Sequence, residues 1–265
     1  IMEGIPPMKE RKMGKGKVGI DIGTSTIAAV SEADMVFKEL NDGIEPIDAE
    51  IRRLNRKLDR QRRANNPDNY NLNGTIKRDT KTFNKVWKKS KRQRLTEDKI
   101  REQYAKRSTK LSQFQDNLAN EIISMGDEII IETMNFQALQ KRAKKTEKSD
   151  KTGKYKKKKR FGKSISIHAP SSLIRKIKTR LTYRKGSLIE VDTYKMKASQ
   201  TNHITGEYMS SDLKNRWKEL IPGVFVQRDL YSAFLLFNAK SKEEIDFELC
   251  EHTFDNFFDG HSRLI

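Results

Sequence analysis

The chain has 265 residues, and 55 Lys and Arg against 36 Asp and Glu give it a net charge of +19, which makes a polyanion its natural partner. No apolar run is long enough to span a bilayer, no lipidation signal is present, and the opening Ile1-Met2-Glu3 leads into basic sequence without a secretory signal. The single Cys250 excludes an internal disulfide and every multi-cysteine zinc site, as expected of a reducing, cytoplasmic (nucleoid-associated) setting.

Residues 1–16 read as a flexible basic lead-in, and the opening isoleucine is expected of a piece of a longer protein. Strands are predicted at 17–22, 26–31 and 34–40. In the first, Val18, Ile20 and Ile22 alternate with Gly19, Asp21 and Gly23, the period of a strand with one apolar face. The other face carries a single carboxylate flanked by glycines, which leave room for a ligand or metal close to the backbone. Ile47, Ile51, Leu54 and Leu58 then recur at helical spacing. The remaining faces of that helix carry Arg52, Arg53, Arg56, Lys57, Arg60, Arg62 and Arg63, more cations than an ordinary solvated face needs. A polar, turn-rich loop covers 64–82. A second basic cluster, with Lys88, Lys91 and Arg92, surrounds Trp87, where an aromatic among cations can stack a base.

A long helix is expected over 97–125, with Leu111, Phe114, Leu118 and Ile122 on one face and Gly126 as its stop. Asp127 to Thr133 has the pattern of a buried central strand with Glu132 at its exit. Residues 141–163 hold thirteen Lys or Arg, among them Lys156, Lys157, Lys158, Lys159 and Arg160, and should be disordered unless nucleic acid orders them. A helix over 170–183, a strand over 187–192, a short helix at Trp217, Leu220 and Ile221, an apolar helix opening at Asp229 and a tail over 241–265 complete the chain. The fold class is α/β, a mixed sheet flanked by helices with a long helical insertion at about 47–125.

Three carboxylates thus fall at the ends of separate elements: Asp21, Glu132 and Asp229. Acids that converge repel one another unless a divalent cation neutralises them, and hard oxygen ligands select Mg²⁺ or Mn²⁺. Two such ions could activate a water and steady the leaving oxygen of a phosphodiester.

From about Lys15 to Asn238 the chain resembles the RuvC-like nuclease portion of the transposon-encoded TnpB family, relatives of type V CRISPR effectors. The matching residues are Gly19-Ile20-Asp21-Ile22-Gly23-Thr24, Ile130-Ile131-Glu132-Thr133-Met134-Asn135 and Val226-Gln227-Arg228-Asp229-Leu230-Tyr231-Ser232-Ala233. The resemblance implies an RNase H-like fold, Mg²⁺-dependent cleavage of DNA, targeting by a guide RNA, and Asp21, Glu132 and Asp229 as the catalytic, metal-binding acids. The clustered cations Arg52, Arg53, Arg56, Arg60, Arg63, Lys88, Lys91, Arg92 and Lys156 to Arg160 are, independently of the resemblance, the expected nucleic-acid contacts.

Two departures stand out. Where the family carries two Cys-x-x-Cys pairs for zinc, residues 198–207 read Ala-Ser-Gln-Thr-Asn-His-Ile-Thr-Gly-Glu, which argues against zinc across 198–224. Gln227 and Tyr231 replace commoner family residues beside the third acid, and the family's guide-gripping amino-terminal region has no counterpart in this sequence. A nuclease-inactive nucleic-acid-binding relative is the alternative. An ATP-binding module of the actin and sugar-kinase type also opens on Asp-x-Gly-Thr, but no second phosphate element follows and the charge suits a polymer better.

Overall fold

The computed structural model describes residues 13–77, 86–141, 144–149, 152–155, 161–208 and 215–265. In chain order the elements are β1 (Lys17–Ile22), β2 (Thr26–Ser31), β3 (Met35–Glu39), α1 (Glu45–Asn65), α2 (Lys91–Met125), β4 (Glu128–Glu132), α3 (Phe136–Gln140), α4 (Gly162–His168), α5 (Pro170–Arg184), β5 (Ser187–Val191), α6 (Thr193–Met196), β6 (Trp217–Ile221), β7 (Val224–Gln227), α7 (Arg228–Phe237) and α8 (Phe247–Leu264). They form two compact units, residues 41–114 and the remainder of the chain.

The larger unit is built on a five-stranded mixed sheet in the order β3-β2-β1-β4-β5. β1, β2 and β3 pair antiparallel, while β4 and β5 join β1 in parallel. Both faces of its centre are covered, so β2 and β4 read as near-continuous apolar runs. One face carries Ala28, Val30 and Ile130 against Leu230, Tyr231, Phe234 and Phe257. Alternation turns Ile20, Ile27 and Ile131 to the other face, and Leu118, Ile122, Leu173 and Ile177 of α2 and α5 are buried with them. Asp116 ties α2 to α5 by accepting from Lys176 at 2.7 Å and Arg180 at 2.5 Å.

Helix α7 lies directly on β1. A Cβ placed on Gly19 would run into the backbone of Ala233 and Phe237, so only glycine admits the helix this closely. The axis of α7 therefore runs over the same strand that carries Asp21 two residues later. Its far side is closed by α8, where Phe257 stacks on Phe234 with ring centroids 4.5 Å apart. The stretch read as a tail is thus mostly helix, started by Asp246, whose carboxylate accepts from the Leu249 N–H at 3.1 Å.

The smaller unit pairs α1 with the first part of α2. Leu54 and Leu58 pack on Ile100, and Arg107 meets Asp48 at 2.6 Å. α2 starts earlier than expected because the Ser90 hydroxyl accepts from the Gln93 N–H at 3.2 Å, an N-terminal cap.

Residues 217–221 correct the expectation of a short helix: they form β6, paired antiparallel with β7. Lys218 and Leu220 are buried while Trp217, Glu219 and Ile221 are exposed, a period of two, and Pro222-Gly223 supplies the turn, with φ +86° at Gly223. In the basic tract, residues 142, 143, 150, 151 and 156–160 lie outside the described residues. The described parts correct the expectation of disorder there: Ser149 and Lys154 pair in a tight turn, and α4 opens at Gly162.

Gly19→Ala is expected to destabilise the fold by about 2 kcal/mol or more, because backbone rather than a flexible side chain blocks the new methyl. Gly23→Ala, whose Cβ would meet Thr26 at an ordinary 3.5 Å, is the control and should cost under about 1 kcal/mol. Urea unfolding compares the two, and equal losses would contradict the close approach at Gly19.

Candidate active site

The three acids come to one end of the sheet. In the β1–β4 ladder Ile20 pairs with Ile131, so the next residues along, Asp21 and Glu132, are neighbours on the same face. The face is that of Gly19, over which α7 passes. Going from Gly19 to Asp21 along β1 corresponds to going from Ala233 back towards Asp229 along α7, about one helical turn. The charges of Asp229 and Glu132 both bear on the Asp21 carboxylate, and Ser232, whose hydroxyl donates to the Arg228 carbonyl at 3.0 Å, lies beside it. Asp229 is buried, at 7 % exposure. Its Oδ2 accepts from the Thr26 hydroxyl at 3.4 Å and from Arg216 at 3.2 Å, and its Oδ1 from Arg228 at 3.0 Å.

The start of α7 is fixed independently of the acids. The Gln227 side chain accepts from the Leu230 N–H at 2.7 Å, and its own backbone N–H donates to His261 of α8 at 2.9 Å. Gln227 is therefore the helix cap that sets where Asp229 stands.

Solvent touches Asp21 and Glu132 at this edge, yet both lie deep among protein atoms. Burial raises the proton affinity of Asp21 well above the ordinary range, and the neighbouring charges of Asp229 and then Glu132 raise it further; Arg228 and Ser232 act in the opposite direction. Burial pushes Glu132 up to about 7, against a smaller opposing effect of the Ala198 N–H that donates to it. The site thus concentrates negative charge that nothing on the β1–β4 side offsets fully. Among the described residues no three His, Cys, Asp or Glu side chains are gathered tightly enough to hold an ion as they stand. The donor set fits a hard divalent cation in kind: three carboxylates, two of them short of a counter-charge. Asp229 already has arginines on both oxygens and would have to exchange one of them.

Sequence reasoning did not single out Arg216, Ser232 or Thr26. Ser232 was discoverable, since it lies three residues after Asp229 on the same helical face. Arg216 carried no signal, being brought in by the β6–β7 hairpin. Of the predicted cations, Arg52, Arg53, Arg56, Arg60, Arg63, Lys88, Lys91 and Arg92 are all exposed on the smaller unit, Arg53 in a pair with Glu50 at 2.6 Å. Lys156 to Arg160 lie outside the described residues. No helix among the described residues is long and apolar enough to cross a membrane.

Residues 201–203, with Lys218 and Tyr231, form a buried polar knot. Tyr231 accepts the His203 backbone N–H at 3.1 Å and its hydroxyl bonds the ring Nδ1 at 2.7 Å. Lys218 donates to the Thr201 carbonyl at 2.7 Å, and Asn202 to that of Leu220 at 2.8 Å. Burial, followed by the charge of Lys218, lowers His203 to about 4, and burial lowers Lys218 to about 8. No protein-family model matches the chain, and no curated protein matches it.

The charge of Glu132 has a measurable consequence. In the unfolded chain a glutamate releases its proton near 4.5, whereas folded Glu132 keeps it up to about 7. Between these values the folded state binds more protons, so stability falls as pH rises through the window and levels off above it. Glu132→Gln should therefore be more stable than the parent at pH 8 without divalent ions, by on the order of 1–3 kcal/mol, and equal to it near pH 4. Thermal melts in chelator at the two pH values provide the measurement. A variant no more stable at pH 8 would mean the carboxylate is already neutralised.

Proposed function

We propose that the protein is a metal-dependent DNA endonuclease of the RNA-guided, transposon-associated TnpB type, with an RNase H-like nuclease fold. What carries the reading is the meeting of Asp21, Glu132 and Asp229, from three distant parts of the sequence, at one end of a five-stranded mixed sheet. The sheet order, with three antiparallel strands followed by two parallel ones and acids on the adjacent central strands β1 and β4, supports the fold assignment. A net charge of +19 supports DNA and a guide RNA as partners, in a cytoplasmic, nucleoid-associated setting.

Asp21, Glu132 and Asp229 would hold Mg²⁺ or Mn²⁺. When bound, two such ions supply an activated water and neutralise the departing 3′ oxygen, leaving a 5′-phosphate. The residues around them do the positioning. Asp21, on the central strand beside Ser232, would be one ligand, and the charges of Asp229 and Glu132 bear on it there. Glu132, beside the Ala198 N–H at the end of the next strand, would be another. Arg216 is half exposed, so it can leave Asp229 and pair with a phosphate of the strand being cut.

Asp229's double arginine engagement favours a second reading, a nuclease-inactive nucleic-acid-binding protein. Conservative substitution separates the two. Asp21→Asn and Asp229→Asn should each reduce Mg²⁺-dependent cleavage of labelled single-stranded DNA by about a hundredfold or more, while changing the affinity for that strand less than about twofold. Absence of Mg²⁺-dependent cleavage by the parent protein would leave the binding reading, and full cleavage by Asp21→Asn would overturn the assignment of these acids as the metal-binding centre.

Binding itself should be strongly electrostatic. Each phosphate contact from the α1 and Trp87 clusters adds roughly 0.7–0.9 to the slope of log affinity against log salt. A titration between 50 and 200 mM salt, concentrations chosen to bracket roughly the physiological range, measures it. An affinity that hardly moved would remove the polyanion argument.

A further inference from the structure

The smaller unit contains an aromatic cleft that the cutting chemistry does not use. It has a volume of about 460 Å³, and its lining sets three cations, Arg62, Arg63 and Lys89, against one acid, Asp59, around Tyr70, Ile76 and Trp87. That size falls in the range of roughly 300–1,000 Å³ usual for small-ligand sites. Trp87 is 40 % exposed and Ile76 50 %, so neither serves the core beneath them. The Trp87 and Tyr70 rings stand nearly perpendicular, at 81° with centroids 5.9 Å apart, so the two are not stacked face to face on each other. Arg63 sits over the Tyr70 ring at 6.0 Å.

The platform is held in place by backbone, not by packing. Asn66 grips the residue after Trp87 from both sides, accepting from the Lys88 N–H at 2.6 Å and donating to the Lys88 carbonyl at 3.0 Å. Asn69 donates to the Val86 carbonyl at 3.3 Å, and Asn65 to the Ser90 hydroxyl at 3.1 Å. The opposite wall is the turn that returns from Tyr70 to Ile76, closed by Asn71 and Thr75 with Gly74 at φ +77°. An exposed tryptophan pinned at four backbone and side-chain points pays its ordering cost in the free protein, as a preorganised ligand surface does.

The flanking charges identify the ligand. Arg62 and Lys89 both approach Glu97, at 3.8 and 3.0 Å, so one acid is shared between two cations and Arg63 adds a third. Aromatic faces beside surplus cations match an unpaired base together with its phosphate. An acidic peptide would satisfy the cations but leave the ring faces unused. We infer that this cleft binds an unpaired base of a single-stranded nucleic acid, stacked on Trp87, with the adjacent phosphate held by Arg62, Arg63 and Lys89. The inference rests on the nucleic-acid-binding part of the proposed function and not on strand cutting.

The test is therefore run on the full chain in chelator, where cleavage plays no part. In a Trp217→Phe background Trp87 is the sole tryptophan, and its fluorescence is followed during titration with oligothymidylate and with an abasic strand of equal length and charge. Trp87 should be quenched by the first strand and much less by the second, and the base-bearing strand should bind about tenfold more tightly. Trp87→Leu should bring the two affinities together, while Trp87→Phe should keep most of the difference. Equal affinity and quenching for the two strands, or competition by polyglutamate as effective as by oligothymidylate, would overturn the base site and leave a cleft for polyanions in general. Retention of the base preference in a folded Trp87→Leu variant would also overturn it. Because quenching is read on Trp87 itself, the result stands even if the leucine variant fails to fold.

Discussion

The contact of α7 with β1 at Gly19 governs most of what surrounds it. A side chain there would lift the helix off the sheet by its own width. With glycine, the α7 backbone descends to van der Waals distance and its first turn overlies the strand end where Asp21 stands. The same descent buries Leu230, Tyr231, Phe234 and Leu235 completely or nearly so, and gives α8 a surface to close. One missing Cβ therefore couples the apolar cluster around Phe234 to the placement of Asp229. A small error in helix height would move that acid by about the same amount, enough to disrupt any shared ion.

Bringing three acids to one point opposes folding. Burial alone disfavours the charge on Asp21 and Glu132, and mutual repulsion adds to it at Asp21. The chain offsets part of this cost unevenly. Asp229 receives two guanidinium groups and a hydroxyl, whereas the charge of Arg228 and the nearby Ser232 lower Asp21 only in part, and the nearby Ala198 N–H does the same for Glu132. Apolar residues at these places would pack with less strain, so the acids are a stability cost of the kind retained for chemistry or ligand binding. The uneven support also orders them: Asp229 is the acid most completely neutralised by the protein, and Glu132 the one most in need of an external cation.

Much of this was legible in the sequence because the signals were local. Alternation at 17–22 and the apolar run at 128–132 each fixed a strand, and the glycine-flanked Asp21 and strand-terminal Glu132 followed from them. Asp229 was legible as the first-turn acid of an apolar helix. What was not legible depended on partners far away in sequence. Trp217 to Ile221 has helix-compatible composition, and the strand is decided by pairing with β7 across Pro222-Gly223. Arg216 reaches Asp229 only because that hairpin exists. The start of α2 was missed for a different reason: the capping Ser90 lies within a run of lysines whose charge pattern hid it.

The turn at 201–208 shows how a segment of irregular backbone is fixed by hydrogen bonds inside the fold. It is tied to the β6–β7 hairpin by Asn202 to Leu220 and by Lys218 to Thr201, and both are anchored to α7 through the Tyr231 hydroxyl and His203. A smaller residue at 231 would leave the His203 N–H and ring without this buried partner. The lowered proton affinity of His203 keeps the ring neutral, so it can share its Nδ1 with the hydroxyl without adding charge beside Lys218. Since Tyr231 lies two residues after Asp229, the knot also holds the helix that carries the third acid. Whatever the hairpin contacts is consequently in mechanical register with the candidate active site, through hydrogen bonds.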